Sequence, residues 1–367
     1  MKFPGTMVKV MVLLWALLFS RPSHAGEGKV VVFIRPGLFR QLSIELSVYK
    51  KDLRLEGYEV DIRAEDWHSS RQMKEVLLGE QNNNLKGCIL IGDLPIPSLL
   101  RKGMDSRPCP LYLMDLDGPW ALAENGTDIE KTPEWPQGGP EIWAGFIVPN
   151  LSTALAGRKK SHELIKEYFD KVHSYRRGVY KKRQGALSFV DDPWKANSTM
   201  GLEALYGENV TVINGKEDST APRLKKELAK AYEFVQIVSH NQGVDGIGVL
   251  NRGRCEVIKT GDFPQIKPRA LFYNMGECST CCYTTENYLG GWFLFGPCDG
   301  LEVFGSTMPG LINSISVIYQ HLGKGESFGE AYKAMLLFEM PQDAKKTKRK
   351  WYLGSILLGD PMLTVRK

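Results

Sequence analysis

Phe234-Val-Gln-Ile-Val-Ser-His240 and Ala270-Leu-Phe-Tyr-Asn-Met-Gly-Glu-Cys278 decide the reading of this chain. Each is an apolar, β-branched or aromatic run of strand length, and each stops at one reactive side chain. In parallel α/β sheets, chemistry collects beyond the carboxyl ends of the strands. A His and a Cys leaving two such strands are expected to meet in space. A thiol is mostly protonated at neutral pH, and an adjacent imidazole supplies the base that makes it a nucleophile.

Outward from these runs, strands and helices alternate. Apolar stretches at 29–36, 58–64, 87–92 and 142–148 read as strands, and amphipathic stretches at 42–57, 70–80 and 161–177 as helices. A segment rich in Pro, Gly and Trp occupies 95–140. The second half repeats the alternation, with strands at 186–190, 210–213 and 300–305 and a closing strand over 356–365. Its helices are expected at 221–231, 311–322 and 328–339. This order predicts an α/β fold with a mostly parallel sheet flanked by helices. Two α/β lobes are expected, at 26–180 and 181–367.

Residues 1–25 read as a secretory leader. Lys2 and Lys9 precede the apolar run Met11-Val-Leu-Leu-Trp-Ala-Leu-Leu-Phe19, and Ser23-His-Ala25 places small residues at the cleavage positions. The run is too short to span a bilayer. The mature protein is therefore expected outside the cytoplasm, periplasmic or extracellular, with no stable membrane span. The leader carries three basic residues and no acid, so removing it brings the formal charge of +5 close to balance. Nothing in that charge asks for nucleic acid. The basic run Lys345-Lys-Thr-Lys-Arg-Lys350 reads as a solvated loop.

All seven cysteines lie beyond the leader. An odd number in an oxidising compartment leaves at least one thiol free or paired between chains. Cys278, Cys281 and Cys282 crowd into five positions, so a Cys-X-X-Cys redox pair of Cys278 with Cys281 is an alternative to the nucleophile. No second Cys/His pair has zinc-ligand spacing. Of the histidines, only His240 ends a buried apolar run and enters a glycine-containing turn.

The arrangement Val238-Ser-His240 followed by Cys278 resembles the catalytic His and Cys of caspase-like cysteine peptidases, and the gingipain-type branch most. Similar to that branch, in order, are Leu90-Ile-Gly-Asp-Leu-Pro95, Tyr112-Leu-Met-Asp-Leu-Asp-Gly118, Ile142-Trp-Ala-Gly-Phe-Ile147, Ala186-Leu-Ser-Phe-Val-Asp-Asp192, Gly300-Leu-Glu-Val-Phe-Gly-Ser306 and Leu358-Gly-Asp-Pro-Met-Leu363. The resemblance covers nearly all of the chain beyond the leader. It implies a caspase-like sheet in two α/β lobes, the second of them catalytic, and a cysteine endopeptidase. Cys278 would attack the peptide carbonyl with His240 as base and acid. Backbone N–H groups of Cys278 and of the Asn241–Gly243 turn would hold the oxyanion. Asn241 and Gln242 stand between His240 and Gly243, where the family has Gly directly after the His. The sequence identifies no orienting carboxylate.

Asp191 and Asp192 follow the first strand of the second half. They are expected at the edge that carries His240 and Cys278, where an acid would favour Lys or Arg before the cleaved bond. The plainer reading is a turn or helix-start acid before Pro193. Asp115-Leu-Asp117-Gly118 has the alternating carboxylates of a calcium loop, with Glu124, Asn125 and Asp128 as the nearest further ligands; a solvated turn is the other reading. No cofactor is required by the expected chemistry, and the partner is a protein or peptide substrate. Two other functions fit the same residues: a catalytically inactive caspase-like binding or envelope-structural protein, and a thiol oxidoreductase.

Overall fold

The computed structural model describes residues 28–99, 106–134, 137–180, 183–241, 243–310, 314–346 and 350–365. The expected leader lies outside them, as do Gln242 and part of the basic run. Ten strands form one sheet. They are β1 (Gly28–Ile34), β2 (Tyr58–Ala64), β3 (Leu85–Ile91), β4 (Trp143–Ile147), β5 (Gln184–Val190), β6 (Val210–Asn214), β7 (Tyr232–Val238), β8 (Phe272–Met275), β9 (Glu302–Ser306) and β10 (Ser355–Gly359). Their order across the sheet is β6-β5-β7-β8-β9-β10-β4-β3-β1-β2. Two smaller sheets accompany it. The molecule is thus an α/β protein built on a mostly parallel sheet.

Every neighbouring pair is parallel except β9 with β10. That one reversal divides the sheet. Strands β6, β5, β7, β8 and β9 run one way, while β10, β4, β3, β1 and β2 run the other. The segments 26–180 and 181–367 both contribute to this single sheet, and β10 brings the end of the chain back beside β4.

Burial follows position in the sheet. Val30 to Ile34 of β1, Cys88 to Ile91 of β3 and Val235 to Val238 of β7 are wholly buried, the polar Gln236 included. A strand covered on both faces reads as a continuous apolar run. Edge strand β2 is half-exposed and carries Glu59, Asp61 and Arg63. Arg63 and Lys29 both pair with Glu80, the charged dressing that protects an open edge from pairing with another chain.

The helices used below are α1 (Ser43–Leu55), α2 (Ser70–Glu80), α3 (Ser161–Arg176), α4 (Leu289–Phe295) and α5 (Phe328–Lys346). Ser69 caps α2 by accepting from the Gln72 amide, and the Gln72 side chain returns the contact. Residues 362–365, expected to extend the last strand, lie beyond its end at Gly359. Asp360 follows β10 directly, and its carboxylate turns inward rather than continuing a ladder. No described helix is long and apolar enough to cross a membrane.

Asp360 is inaccessible and bound from three directions. Arg176 of α3 reaches its Oδ2 at 2.5 Å, Tyr49 of α1 donates to its Oδ1 at 2.8 Å, and the Met362 amide donates to the same oxygen at 3.2 Å. Arg176 also pairs with Glu56 at 3.1 Å. Removing one partner of a buried ion pair strands the other charge. Asp360→Ala is expected to cost about 3–5 kcal/mol of stability, measured as a shift of the urea midpoint at unchanged slope.

Candidate functional site

Three adjacent strands deliver the candidate residues. Val190 of β5 pairs with Val238 of β7, and Ile237 of β7 pairs with Met275 of β8. Asp191 is the first residue past β5. His240 lies three residues beyond Ile237, and Cys278 three beyond Met275. Parallel register therefore brings the segments that lead to Asp191, His240 and Cys278 off the same end of the sheet. The contacts past the strand ends keep this alignment. The Gly276 amide donates to the Ile237 carbonyl at 2.8 Å, and the Ser239 hydroxyl donates to Glu277 Oε1 at 2.7 Å. The residues immediately before His240 and Cys278 are thus bonded to each other.

Asp191 is inaccessible, and its Oδ2 lies 2.9 Å from His240 Nδ1. The Leu250 amide donates to the same oxygen at 3.2 Å. Burial pushes the Asp191 carboxyl up, while the bonds to His240 and Leu250 pull it back. The His240 side chain is 38% exposed, so the ring is accessible on the side away from the carboxylate. The Trp194 ring lies 6.0 Å from it, centroid to centroid, tilted by 35°. A carboxylate on Nδ1 favours the tautomer that leaves Nε2 free to accept a proton.

Cys278 is half-buried, and the Gly310 amide donates to its sulfur at 3.3 Å. Ser279, the next residue, has φ +56°. A left-handed backbone is uncommon for a residue with a β-carbon and costs of the order of 1 kcal/mol or more. The Ser279 amide is held on the Met308 carbonyl at 3.0 Å, which turns the chain away directly after the sulfur. Cys281 is inaccessible and Cys282 nearly so. Burial lifts the Cys281 thiol far above the ordinary range.

The expected oxyanion turn is described at Asn241 and Gly243. Asn241 pairs with Ile247 in a small antiparallel sheet, Gly243 has φ +82°, and the Asn241 side chain donates to the Gly243 carbonyl at 3.0 Å. That sheet continues into a hairpin of 246–251 and 254–259, which the strand–helix alternation does not predict. Arg252 and Gly253 both take positive φ between its strands, the signature of the tight turn that joins two-residue hairpins. Asn251-Arg-Gly-Arg254 followed by Val257 was the legible signal. The hairpin supplies the Leu250 amide that holds Asp191.

Of the two readings of Asp191, a substrate-facing acid or a turn acid before Pro193, neither includes what its carboxylate does: it faces His240 and the Leu250 amide. Asp192 is half-buried in the first turn of a short 3-10 segment, Asp192–Asn197. Asp115 and Asp117 do not gather Glu124, Asn125 or Asp128. Asn125 and Asp128 bond to each other, and the third carboxylate near Asp115 and Asp117 is Glu141, with ligand atoms all within 4.8 Å. Asp115 already accepts from the Gly118 amide and the Trp120 indole, and Glu141 from the Leu116 amide. Burial, with Asp117 and Asp115 adding to it, pushes Glu141 up to about 7. The Lys74 ammonium, drawn down to about 8 by burial, supplies positive charge beside them.

No protein-family model matches the chain, and no curated protein matches it.

Glu277 is the group that the sequence reading assigned no role. Its carboxyl is buried, Oε2 has no protein partner, and burial holds it well above the usual carboxylate range. A group whose folded pKa is raised binds its proton longer in the native state than when unfolded. Stability is therefore lost as pH rises from about 4.5 towards the folded value. Glu277→Gln keeps an acceptor for Ser239 and removes the titration. It should match the parent near pH 4 and exceed its Tm by at least about 2 °C at pH 7–8, read by calorimetry across that range.

Proposed function

We propose that the chain is a cysteine endopeptidase of the gingipain-type, caspase-like kind, with Cys278 as nucleophile, His240 as base and acid, and Asp191 as the orienting carboxylate. The observation that supports this reading is the pair of side-chain bonds at one sheet edge: Asp191 to His240, and Ser239 to Glu277, which joins the residues immediately before His240 and Cys278.

In this mechanism His240 Nε2 takes the Cys278 proton, and the thiolate attacks the peptide carbonyl carbon. Asp191 stabilises the imidazolium that forms and keeps Nδ1 protonated. The amides of Cys278 and Gly243 would receive the oxyanion, each worth about 3–4 kcal/mol where the geometry is met. The imidazolium then protonates the leaving amine. Water, activated by the same ring, releases the acyl group from sulfur and restores the thiol. With Asp191 committed to His240, a preference for Lys or Arg rests on Asp192 alone.

The thiol oxidoreductase reading has less support, because Cys281 is sealed from solvent and a resolving thiol needs access. The inactive binding-protein reading uses the same fold and is separated by activity. The reduced mature protein, offered a mixed-sequence peptide library, is expected to cleave, and Cys278→Ala to abolish cleavage. Equal cleavage by both, or none by either, would sink the peptidase reading. Asp191→Asn should lower kcat/KM by about 10²–10⁴-fold while Cys278 stays titratable by a thiol reagent. Asp192→Ala should remove any basic preference and leave cleavage after other residues intact.

A further inference from the structure

The two halves of the sheet are wound alike. β1 has β2 on one side and β3 on the other, and β5 has β6 on one side and β7 on the other. Each half therefore contains one switch point, a crevice beyond the carboxyl ends of its first and third strands. Open α/β sheets bind their ligands in such crevices. In the second half this crevice holds Asp191 and His240. In the first half the equivalent positions are Arg35, directly after β1, and Gly92-Asp93, directly after β3. A cavity of about 680 Å³ opens there, within the range of about 300–1,000 Å³ typical of small-molecule sites. It lies at the opposite edge of the sheet from Cys278, and the hydrolysis described above makes no use of it.

The lining has two parts. Leu38, Ile91, Leu94, Ile96, Val148 and Ile165 make an apolar floor. Around it stand Arg35, Asp66 and Asp93. The Arg35 Nε donates to the Asp93 carbonyl at 2.8 Å, which ties the guanidinium across the switch point. Asp66 and Asp93 are exposed. Gly92 has φ +79°, a left-handed backbone that favours glycine where β3 turns against this wall. One cation and two anions about an apolar floor complement a molecule with a carboxylate, an ammonium and apolar side chains.

We propose that this crevice is a second binding site, for short apolar peptides with free termini. The peptide carboxylate pairs with the Arg35 guanidinium, a geometry suited to two parallel hydrogen bonds. The terminal ammonium pairs with Asp66 and Asp93, and the side chains cover the floor. One wall is made by Tyr283 and Thr284, which belong to the segment leaving Cys278. That segment is anchored at the crevice. Asn150 Nδ2 donates to the Tyr283 carbonyl at 3.1 Å, the Asn287 amide donates to the Asn150 carbonyl at 2.8 Å, and the Tyr288 hydroxyl donates to the Val148 carbonyl at 2.6 Å. A peptide bound here touches the chain that carries the nucleophile, from the far edge of the sheet.

The test is calorimetric titration of the mature Cys278→Ala protein with leucyl-leucine. This variant cannot turn over through sulfur, so the result stands apart from the peptidase reading. The dipeptide is expected to bind, and its N-acetyl and C-amide forms to bind at least about tenfold more weakly, a loss of about 1.4 kcal/mol. Arg35→Ala and Asp93→Asn should each weaken binding similarly at unchanged Tm. If Arg35→Ala lowers Tm, Arg35→Lys should keep the fold and give an intermediate affinity. No binding at about 10 mM, affinity indifferent to both terminal caps, or affinity unaltered in the Arg35 and Asp93 variants would each overturn the proposal. The last outcome would place the dipeptide in the Cys278 cleft.

Discussion

The last strand of the chain is the constraint on which the rest of the sheet depends. β10 pairs antiparallel with β9 and parallel with β4. It joins two sets of parallel strands that run in opposite directions. Its end is locked by Asp360, which binds Arg176 and Tyr49 from helices of the first half. A buried carboxylate with a guanidinium, a phenol and an amide around it satisfies the requirement that buried charge be paired and hydrogen-bonded. Without this seam the two wound halves would share no ladder.

The reversal at β10 fixes where chemistry can occur. The carboxyl ends of β5, β7 and β8 face one edge, and those of β1, β3 and β4 face the other. Each edge has a crevice at its switch point. One is polar and carries Asp191 and His240, with Cys278 leaving the neighbouring strand. The other is apolar at its floor and charged at its rim. The segment between Cys278 and α4 runs from the first edge to Val148 and Asn150 at the second. Tyr283 stacks on Phe146 of β4 on the way, with ring centroids 5.5 Å apart. The same run of chain is thus both the exit from Cys278 and the wall of the second crevice.

At the first edge the local energetics are unfavourable and are offset by the frame. Asp191 and Glu277 are acids held in burial, and Ser279 takes a left-handed backbone. Strain and raised carboxyl pKa values persist where surrounding structure over-determines them. Here the frame is the ladder of β5, β7 and β8 beneath, with Gln236 bonding to Ser188 on one side and Asn274 donating to Gln236 on the other. This buried polar cross-link ties the three strands at a level just below Asp191, Ser239 and Gly276.

The sequence by itself determined the strand–helix alternation, the buried nature of the runs ending at His240 and Cys278, and the placement of those residues at strand ends. Period, run length and the identity of the stopping residue are local properties, and they survive in one dimension. The positions of α1, α2 and α3 were legible for the same reason. The partner of His240 was not. Asp191 precedes it by 49 positions, and a turn acid before Pro193 looks alike whether it faces solvent or an imidazole. Only the β5–β7 pairing decides between them. Glu277, the hairpin that supplies the Leu250 amide, and the grouping of Asp115 and Asp117 with Glu141 were likewise set by pairing across distance. The direction of β10 was decided the same way. A strand reads identically from its pattern whichever way it runs, and only its neighbours' hydrogen bonds settle which edge each crevice faces.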